Sequence, residues 1–224
     1  MQVEINIPES LSEITLDQYQ RYLKIQNNIL KDGELDQQKE EFLMLKIIEI
    51  FCNVRGDVVL KMRPSDIISI NNILTDMLNI NPEHVMRFKM SGKQYGFIPN
   101  LEDMSFGEYI DLDTYLSDWD NMHKAMAVLY RPIKQTLGKR YLIEDYSVGD
   151  SEHMKQMPLD ACLGSIIFFY NLGIALSKVT LKSLEEEQQA NLVQYINSDK
   201  NGGGINLYTH SLKVILEDLK ISLN

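Results

Sequence analysis

The stretch ACLGSIIFFYNLGIAL, which runs from Ala161 to Leu176, is the most apolar part of the chain. It is about four residues short of the roughly 20 that a helix needs to cross a bilayer, and it contains a polar residue, Asn171. We therefore predict a helix that is buried in the core of a globular protein rather than a membrane span. This helix is expected to belong to a longer helical segment, residues 158–196, that could break at Gly173.

The length and composition of the chain favour one large domain. The chain has 224 residues, of which 44% are hydrophobic, and this is enough to form a full core without disulfides or metals. We predict a single α-rich domain over residues 1–224. It could divide into an N-terminal helical part, residues 1–80, and a part with a hairpin and long helices, residues 81–224.

Charge and cysteine content narrow the function classes. Asp and Glu outnumber Lys and Arg by 32 to 22, so the formal net charge is −10. An acidic chain is poorly suited to general nucleic-acid binding or to anionic membranes, since both need positive charge. Cys52 and Cys162 form no CxxC pair, so we expect no disulfide framework, no zinc cluster and a reducing, cytoplasmic place of synthesis. The N-terminal MQVEINIPESL lacks the basic start and apolar core of a signal peptide.

Hydrophobic spacing and capping residues predict mostly α-helices with a small β element. Alternating apolar residues from Val3 to Ile7 predict a short N-terminal strand that ends at Pro8. Thr15 and Gln18 have the spacing of a capping box, so a helix should begin there. Two β-type runs around residues 91–93 predict a β-hairpin over residues 85–98. The other predicted elements are helices over residues 36–51, 65–79 and 105–130, a flexible joint at residues 201–204, and a final amphipathic helix with Leu212, Ile215, Leu216 and Leu219.

The acidic stretch MSFGEYIDLDTYLSDWD, residues 104–120, resembles a chemical site more than any other stretch. The pattern of an EF-hand fails, because a loop starting at Asp111 has Leu116 where glycine is needed and Met122 where glutamate is needed. No Glu-x-x-His occurs for a di-metal site, whereas a pair of catalytic carboxylates stays open. Ser105 and Glu108 instead fit a capping box. An apolar face is then formed by Tyr109, Leu112, Leu116, Trp119, Met122, Met126 and Leu129, with Asp111, Asp118 and Asn121 mainly opposite.

No other motif predicts catalysis, a metal or a cofactor. The four histidines, His84, His123, His153 and His210, form no close ligand pair. Ser165 follows a glycine, but Ile167 stands where a nucleophile elbow needs its second glycine. The glycines at 202–204 are not followed by the Lys-Ser/Thr of a phosphate loop. We therefore expect a protein that is not an enzyme.

The basic run RPIKQTLGKR, residues 131–140, differs from its acidic surroundings. It has four positive charges and no acid, and Tyr130 and Tyr141 flank it. One interpretation is a strip that docks an acidic partner or a DNA backbone. We favour the other, an ordinary solvated loop, because four charges do not define a nucleic-acid groove.

Three segments resemble proteins of tailed bacteriophages, especially the crAss-like phages and related phages of Bacteroidetes hosts. They are MRFKMSGKQYGFIPNLEDMSFGEYIDLD, MAVLYRPI and MPLDACLGSIIFFYNLG, and the similarity covers residues 84–181. The resemblance implies a component of the head–tail connector or tail, or a factor that assembles the tail. It implies location in the virion after synthesis in the host cytoplasm, and it transfers no active-site residue.

Two functions follow from this resemblance as hypotheses. The first is a ring or adaptor subunit between portal and tail, homo-oligomeric in the particle and in contact with the portal and with neighbouring ring or tail subunits. The second is a tail assembly chaperone that binds the tape-measure protein, for which the 11 methionines would offer an adaptable surface. We expect the interface to contain Tyr95, Phe97, Ile98, Phe106, Tyr109, Arg131, Lys134, Lys139 and Arg140.

Overall fold

The computed structural model describes residues 5–31 and 36–187, and side chains are described up to residue 175. The chain is mostly α-helical with one small antiparallel sheet of four strands, as the sequence predicts at this level. The elements in chain order are α1 (Leu16–Lys31), α2 (Gln37–Phe51), α3 (Gly56–Val59), α4 (Pro64–Leu78), β1 (Arg87–Met90), β2 (Lys93–Phe97), α5 (Phe106–Tyr115), α6 (Met122–Leu129), β3 (Tyr130–Leu137), β4 (Arg140–Ile143) and α7 (Leu159–Glu187).

The first half of α7 is buried on two sides, as expected for the apolar stretch at its start. Leu159 and Leu163, which lie one turn apart, pack into a core that is otherwise formed by the N-terminal helices. Cys162, Ile166 and Phe169 follow the same helical period on another side and pack into a second core with the sheet, α5 and α6. Helix α7 therefore joins the two cores, and the N-terminal core includes residues from the C-terminal half of the chain.

Two backbone hydrogen bonds fix the start of α1 against the start of α7. The N–H of Leu159 donates to the carbonyl of Ile14 at 2.8 Å, and the N–H of Leu16 donates to the carbonyl of Met157 at 3.0 Å. Ile14 packs into the N-terminal core, whereas Leu16 packs into the second core. The two halves of the sequence are thus connected through both backbone and side chains.

The predicted capping box at the start of α1 is confirmed. The N–H of Thr15 donates to Oε1 of Gln18 at 2.9 Å, and the N–H of Gln18 donates to Oγ1 of Thr15 at 3.2 Å. The amide nitrogen of Gln18 also donates to the carbonyl of Ile50 at 2.8 Å, at the end of α2. One side chain therefore begins α1 and fixes α2 beside it.

The strands lie in the order β1-β2-β3-β4, and every neighbouring pair is antiparallel. The turn between β1 and β2 contains Ser91 and Gly92, which both have positive φ values of 50° and 76°. This is the geometry of a tight hairpin turn, whose twist matches that of the strands. Aromatic rings pack on the core side of the sheet: the ring of Phe88 stacks on that of Tyr95 with centres 5.5 Å apart, and it meets the ring of Tyr130 edge to face with centres 5.1 Å apart.

The predicted N-terminal strand is wrong where the structure describes it. Residues 5–8 have no regular secondary structure, and Val3 lies outside the described residues. Ile5 and Ile7 instead pack against the N-terminal core, whereas Asn6 between them is exposed, and no strand partner occurs among the described residues. The alternation of apolar and polar residues here corresponds to alternating burial without strand pairing.

The single helix predicted over residues 105–130 is wrong, because α5 ends at Tyr115 and α6 begins at Met122. Between them, a carboxylate oxygen of Asp118 accepts from the N–H of Asp120 at 2.9 Å, and the other accepts from the amide of Asn121 at 2.6 Å. Asp competes in this way with the helical backbone for hydrogen bonds. The interruption separates the predicted helix into α5 and α6.

The solvated loop favoured for residues 131–140 is also wrong, since this run forms β3 and the start of β4. Pro132 argues against a strand in the middle of a sheet because it has no N–H to donate. Here it lies beside an irregularity in register between Ile133 and Gln135, and its carbonyl accepts from the N–H of Glu144 at 2.9 Å. The proline is therefore accommodated at a bulge.

Helix α7 continues through Gly173, so the predicted break there is wrong. The predicted flexible joint at residues 201–204 and the final amphipathic helix lie outside the described residues.

We expect Gly164→Ala to destabilise the protein strongly, because a Cβ there would lie 2.4 Å from the backbone carbonyl oxygen of Glu83. Backbone cannot move aside as a flexible side chain can, so the cost should be about 1–3 kcal/mol or more. Urea denaturation of the full chain measures it. Gly107→Ala is the matched control: it lies in α5 with open space around it, and it should stabilise by about 0.4–1 kcal/mol. Equal effects of the two changes would contradict the close approach of α7.

Candidate protein-interaction site

The sheet concentrates positive charge in an acidic chain. We call residues 87–97 and 130–143, which comprise the four strands and their two hairpin turns, the basic sheet. It contains seven basic residues and no acidic residue, whereas the whole chain has 22 Lys and Arg against 32 Asp and Glu. The seven are Arg87, Lys89, Lys93, Arg131, Lys134, Lys139 and Arg140. A local field of this sign favours an anionic partner.

Only two of these seven cations form ion pairs among the described residues. Arg131 pairs with Glu108 at 2.8 Å, and Lys134 pairs with Asp145 at 3.0 Å. The guanidinium of Arg87 lies 4.4 Å from the ring centre of Tyr141, and it donates to the backbone carbonyl of Lys139. The remaining cations therefore keep charge that a partner can neutralise.

Tyr141 fastens β4 to β2, although β3 lies between these strands. Its hydroxyl donates to the carbonyl of Phe97 at 2.7 Å, and its ring covers Gly96, where a Cβ would lie 2.3 Å from a ring carbon. Burial raises the pKa of this hydroxyl, so it stays a donor over the ordinary pH range. The β3–β4 hairpin is thus held to β2 close to its turn, because Tyr141 pairs with Thr136 one pair before the turn, whose residues Gly138 and Lys139 are exposed.

The segment of residues 100–121 has the opposite charge pattern. It contains seven acidic residues and no basic residue. Within it, α5 exposes six residues, of which we call four the α5 stripe: Phe106, Tyr109, Ile110 and Asp113. Phe106 is 78% exposed and Ile110 is 45% exposed. The sequence predicts Tyr109 and Leu112 on one apolar face. The helix buries Leu112 as predicted, but it buries Glu108 as well and leaves Tyr109 exposed.

Glu108 connects α5 to the sheet. The predicted capping box is confirmed: Oε2 of Glu108 accepts from the N–H of Ser105 at 2.7 Å, and Oγ of Ser105 accepts from the N–H of Glu108 at 3.3 Å. The other carboxylate oxygen, Oε1, accepts from Nη1 of Arg131 at 2.8 Å. The side chains of Glu108 and Arg131 are only 8% and 11% exposed, so this pair is largely desolvated.

Two grooves flank Arg131, and both have rims of mixed charge. One, of about 540 Å³, separates the start of α5 from β4 and is lined by Asp103, Leu142 and Tyr146 among others. The other, of about 370 Å³, lies over Tyr95 and is edged by Lys93 and His153. No group of three His, Cys, Asp or Glu residues in the described part of the chain could hold a metal ion.

The acidic stretch of residues 104–120 resembled a chemical site in the sequence. Those of its acids whose contacts the structure shows stabilise the fold. Glu108 and Asp118 cap helical turns. A carboxylate oxygen of Asp111 accepts from the hydroxyl of Tyr146 at 2.7 Å, and burial together with this bond raises the pKa of Tyr146. Ser165 is fully buried, and its hydroxyl donates to the carbonyl of Ala161 at 2.8 Å.

The predicted interface residues fall into two groups. Tyr95, Phe97 and Ile98 are buried in the second core, so they are unavailable to a partner and we correct that assignment. Arg131 forms an ion pair with Glu108 of the same chain, so its charge is already neutralised. The exposed members are Phe106, Tyr109, Lys134, Lys139 and Arg140. Sequence reasoning missed Arg87 and Leu142, because only the strand pairing places them beside the predicted cations.

His123 is buried and His84 is partly buried, and the contacts of both are structural. His84 stacks on Phe168 with ring centres 4.6 Å apart, and neither of its nitrogens has a hydrogen-bond partner among the described residues. His123 lies between Gln20 and Glu152. Burial lowers the pKa of both imidazoles, because it penalises the charged form.

Comparison with known proteins gives no relative: no family model, no curated protein and no solved structure matches the chain. Within residues 5–31 and 36–187, no helix combines the length and the apolar character that crossing a bilayer requires.

Glu108→Gln should destabilise the protein more than Ser105→Ala. From the capping box alone one expects the reverse, since glutamine can also close the box. In the structure, however, a neutral amide at this position would leave Arg131 desolvated without its anion, at a cost of about 3 kcal/mol, against about 0.5–2 kcal/mol for loss of the Ser105 cap. Urea denaturation of both variants checks the order, and Asp113→Asn on the exposed side of α5 is the control. A smaller loss for Glu108→Gln would mean that the pair is solvated.

Stability should fall as the pH is lowered through about 6.5, the ordinary pKa of histidine. The sign follows from the lowered pKa values of His84 and His123, because the unfolded chain takes up protons first and each proton favours unfolding. Each histidine should contribute up to about 1.4 kcal/mol per pH unit until its folded pKa is reached. His84→Phe should flatten the decline between about pH 7 and 5, as measured by urea denaturation at each pH. Parallel profiles of the two proteins would contradict the assignment to His84.

Proposed function

We propose that this chain is a structural protein of a tailed-bacteriophage particle, a head–tail connector or tail ring subunit that acts through protein–protein contacts. The observation that carries the proposal is the pair of oppositely charged, partly apolar surfaces on separate elements, namely the basic sheet and the acidic segment with the α5 stripe. A subunit that must contact neighbours on two sides needs two such surfaces.

The resemblance to phage proteins coincides with a packed unit. It covers residues 84–181, and the second core is formed by residues from Phe88 to Phe169 together with Leu16. Both surfaces belong to this unit. The similar segments are therefore parts of one structure that presents the proposed contacts, and this supports a shared role in the particle.

The contacts inside this unit hold its two surfaces in fixed positions, which is expected of an adaptor subunit and not of a mobile catalytic loop. Tyr141 holds the β3–β4 hairpin to β2, and the Glu108–Arg131 pair holds α5 to β3. Surfaces that are fixed before binding lose less conformational entropy when a partner binds. In an assembly of many copies, this smaller loss of entropy applies to every copy that binds.

Purified particles of the phage that encodes this chain should contain it in a constant ratio to the portal protein. Quantitative mass spectrometry of gradient-purified particles measures that ratio, because a ring subunit must be present in a fixed number of copies. Absence from particles, together with co-purification with tape-measure fragments from infected cells, would overturn the proposal and favour a tail assembly chaperone.

Variants of the same chain make this test specific. Lys139→Glu/Arg140→Glu changes two exposed residues at the outer end of the hairpin and should reduce incorporation into particles. Lys61→Glu reverses an exposed charge in the N-terminal part and should be incorporated normally. Equal incorporation of both variants would show that the basic sheet is not a contact surface in the particle.

A further inference from the structure

We propose that the basic sheet of one copy of this chain binds the α5 stripe of a second copy, so that copies associate head to tail. The inference names the partner of a surface already described, and it rests on the proposed function only for the expectation that the association closes into a ring.

Opposite charge is available on both surfaces. In the basic sheet, Arg87, Lys89, Lys93, Lys139 and Arg140 form no ion pair among the described residues. On the acidic side, Asp113 lies in the α5 stripe itself, and Glu102, Asp103 and Asp120 are exposed elsewhere in residues 100–121; none of the four forms an ion pair in the part of the chain that the structure describes. Complementary potentials of this kind orient partners during encounter and exclude partners of like charge.

Exposed apolar side chains accompany the charges on both sides. The α5 stripe presents Phe106 and Ile110, and the β3–β4 hairpin presents Leu137 and Leu142, which are 55% and 53% exposed. Exposed ion pairs contribute little affinity, so these apolar groups must supply most of it when they leave water. Phe106 is the largest exposed anchor, and aromatic residues commonly carry such interfaces.

The mixture of charge and apolar surface favours a protein over a nucleic acid. Phosphate binding would use the cations but leave Leu137 and Leu142 in water. The net charge of −10 also repels a polyanion from the rest of the chain. A second copy brings acids for the cations of the basic sheet, and exposed apolar side chains that can pack against Leu137 and Leu142.

The two surfaces differ, so the contact is heterologous. Each copy that binds through its α5 stripe still has a free basic sheet, and association continues until the assembly closes. The Glu108–Arg131 pair already makes one contact of this kind within the chain, and it is not available to a neighbour. The remaining surfaces are small, so the purified chain should associate weakly and only at high concentration.

Sedimentation of the purified full chain tests this at about 0.05 M and 0.5 M salt. We expect reversible association at low salt that weakens at high salt. Lys139→Glu/Arg140→Glu and, separately, Phe106→Ser/Ile110→Ser should each weaken association about tenfold or more. Lys61→Glu should not change it, and circular dichroism should show that every variant is folded. A wild-type chain that stays monomeric at low salt and millimolar concentration would overturn the proposal.

Mixing the two double variants distinguishes head-to-tail from symmetric association. One retains only its α5 stripe and the other only its basic sheet, so the mixture should form a 1:1 dimer and nothing larger. Larger assemblies, or no dimer, would overturn the heterologous contact. Loss of binding to a DNA duplex in Lys139→Glu/Arg140→Glu, with self-association unchanged, would assign the basic sheet to nucleic acid instead. These measurements use the isolated chain. Self-association can therefore be absent although the protein is found in particles, and it can be present although the protein is absent from them.

Discussion

The structure depends on the close approach of α7 to the chain at Glu83, which only a residue without a side chain allows. Gly164 lies at that contact, within the most apolar stretch of the sequence. Because the helix comes this near on one side, its neighbouring residues can fill two cores at once. Interiors are packed to nearly crystalline density, so a small displacement of α7 would open space in both cores.

The second constraint is electrostatic: one buried ion pair holds α5 against the sheet, whereas most other charges of these elements lie at the surface. Glu108 and Arg131 come from the acidic segment and the basic sheet, and they neutralise each other where the two meet. A buried pair of this kind adds little net stability compared with apolar residues, but a single unpaired partner would be costly. The pair therefore favours one specific arrangement of α5 against the sheet. Of the other charges, Lys134 pairs with Asp145, whereas Lys139, Arg140 and Asp113 are exposed and form no ion pair among the described residues.

The sequence predicted features that depend on residues close together in the chain. Both capping boxes and the mostly helical fold are examples, because Thr15 and Gln18, or Ser105 and Glu108, are three residues apart. It failed where a distant contact decides. The hydroxyl of Tyr141 reaches the carbonyl of Phe97, and this long-range contact helps to make a strand from a basic, proline-containing run. The sequence analysis also missed a local contact, because Asp118 accepts from the N–H of Asp120 and so interrupts a helix whose apolar spacing was otherwise regular. In the candidate site, the composition of the sequence was enough to find the exposed cations. Which of these cations form ion pairs, and that Tyr95 is buried, could be known only from the fold.

The position of the cations also explains how an edge strand can be exposed and yet bind only particular partners. Strand β4 lies at an edge of the sheet, where unpaired backbone groups invite pairing with any extended chain. Lys139 and Arg140 stand at the start of this strand, and charged residues at an edge discourage such nonspecific pairing. In the proposed head-to-tail association, the same charges attract the α5 stripe, which carries Asp113 beside apolar residues. A hairpin of this composition therefore rejects most partners by repulsion or desolvation and accepts a complementary one, which is how specificity arises from a difference of affinities.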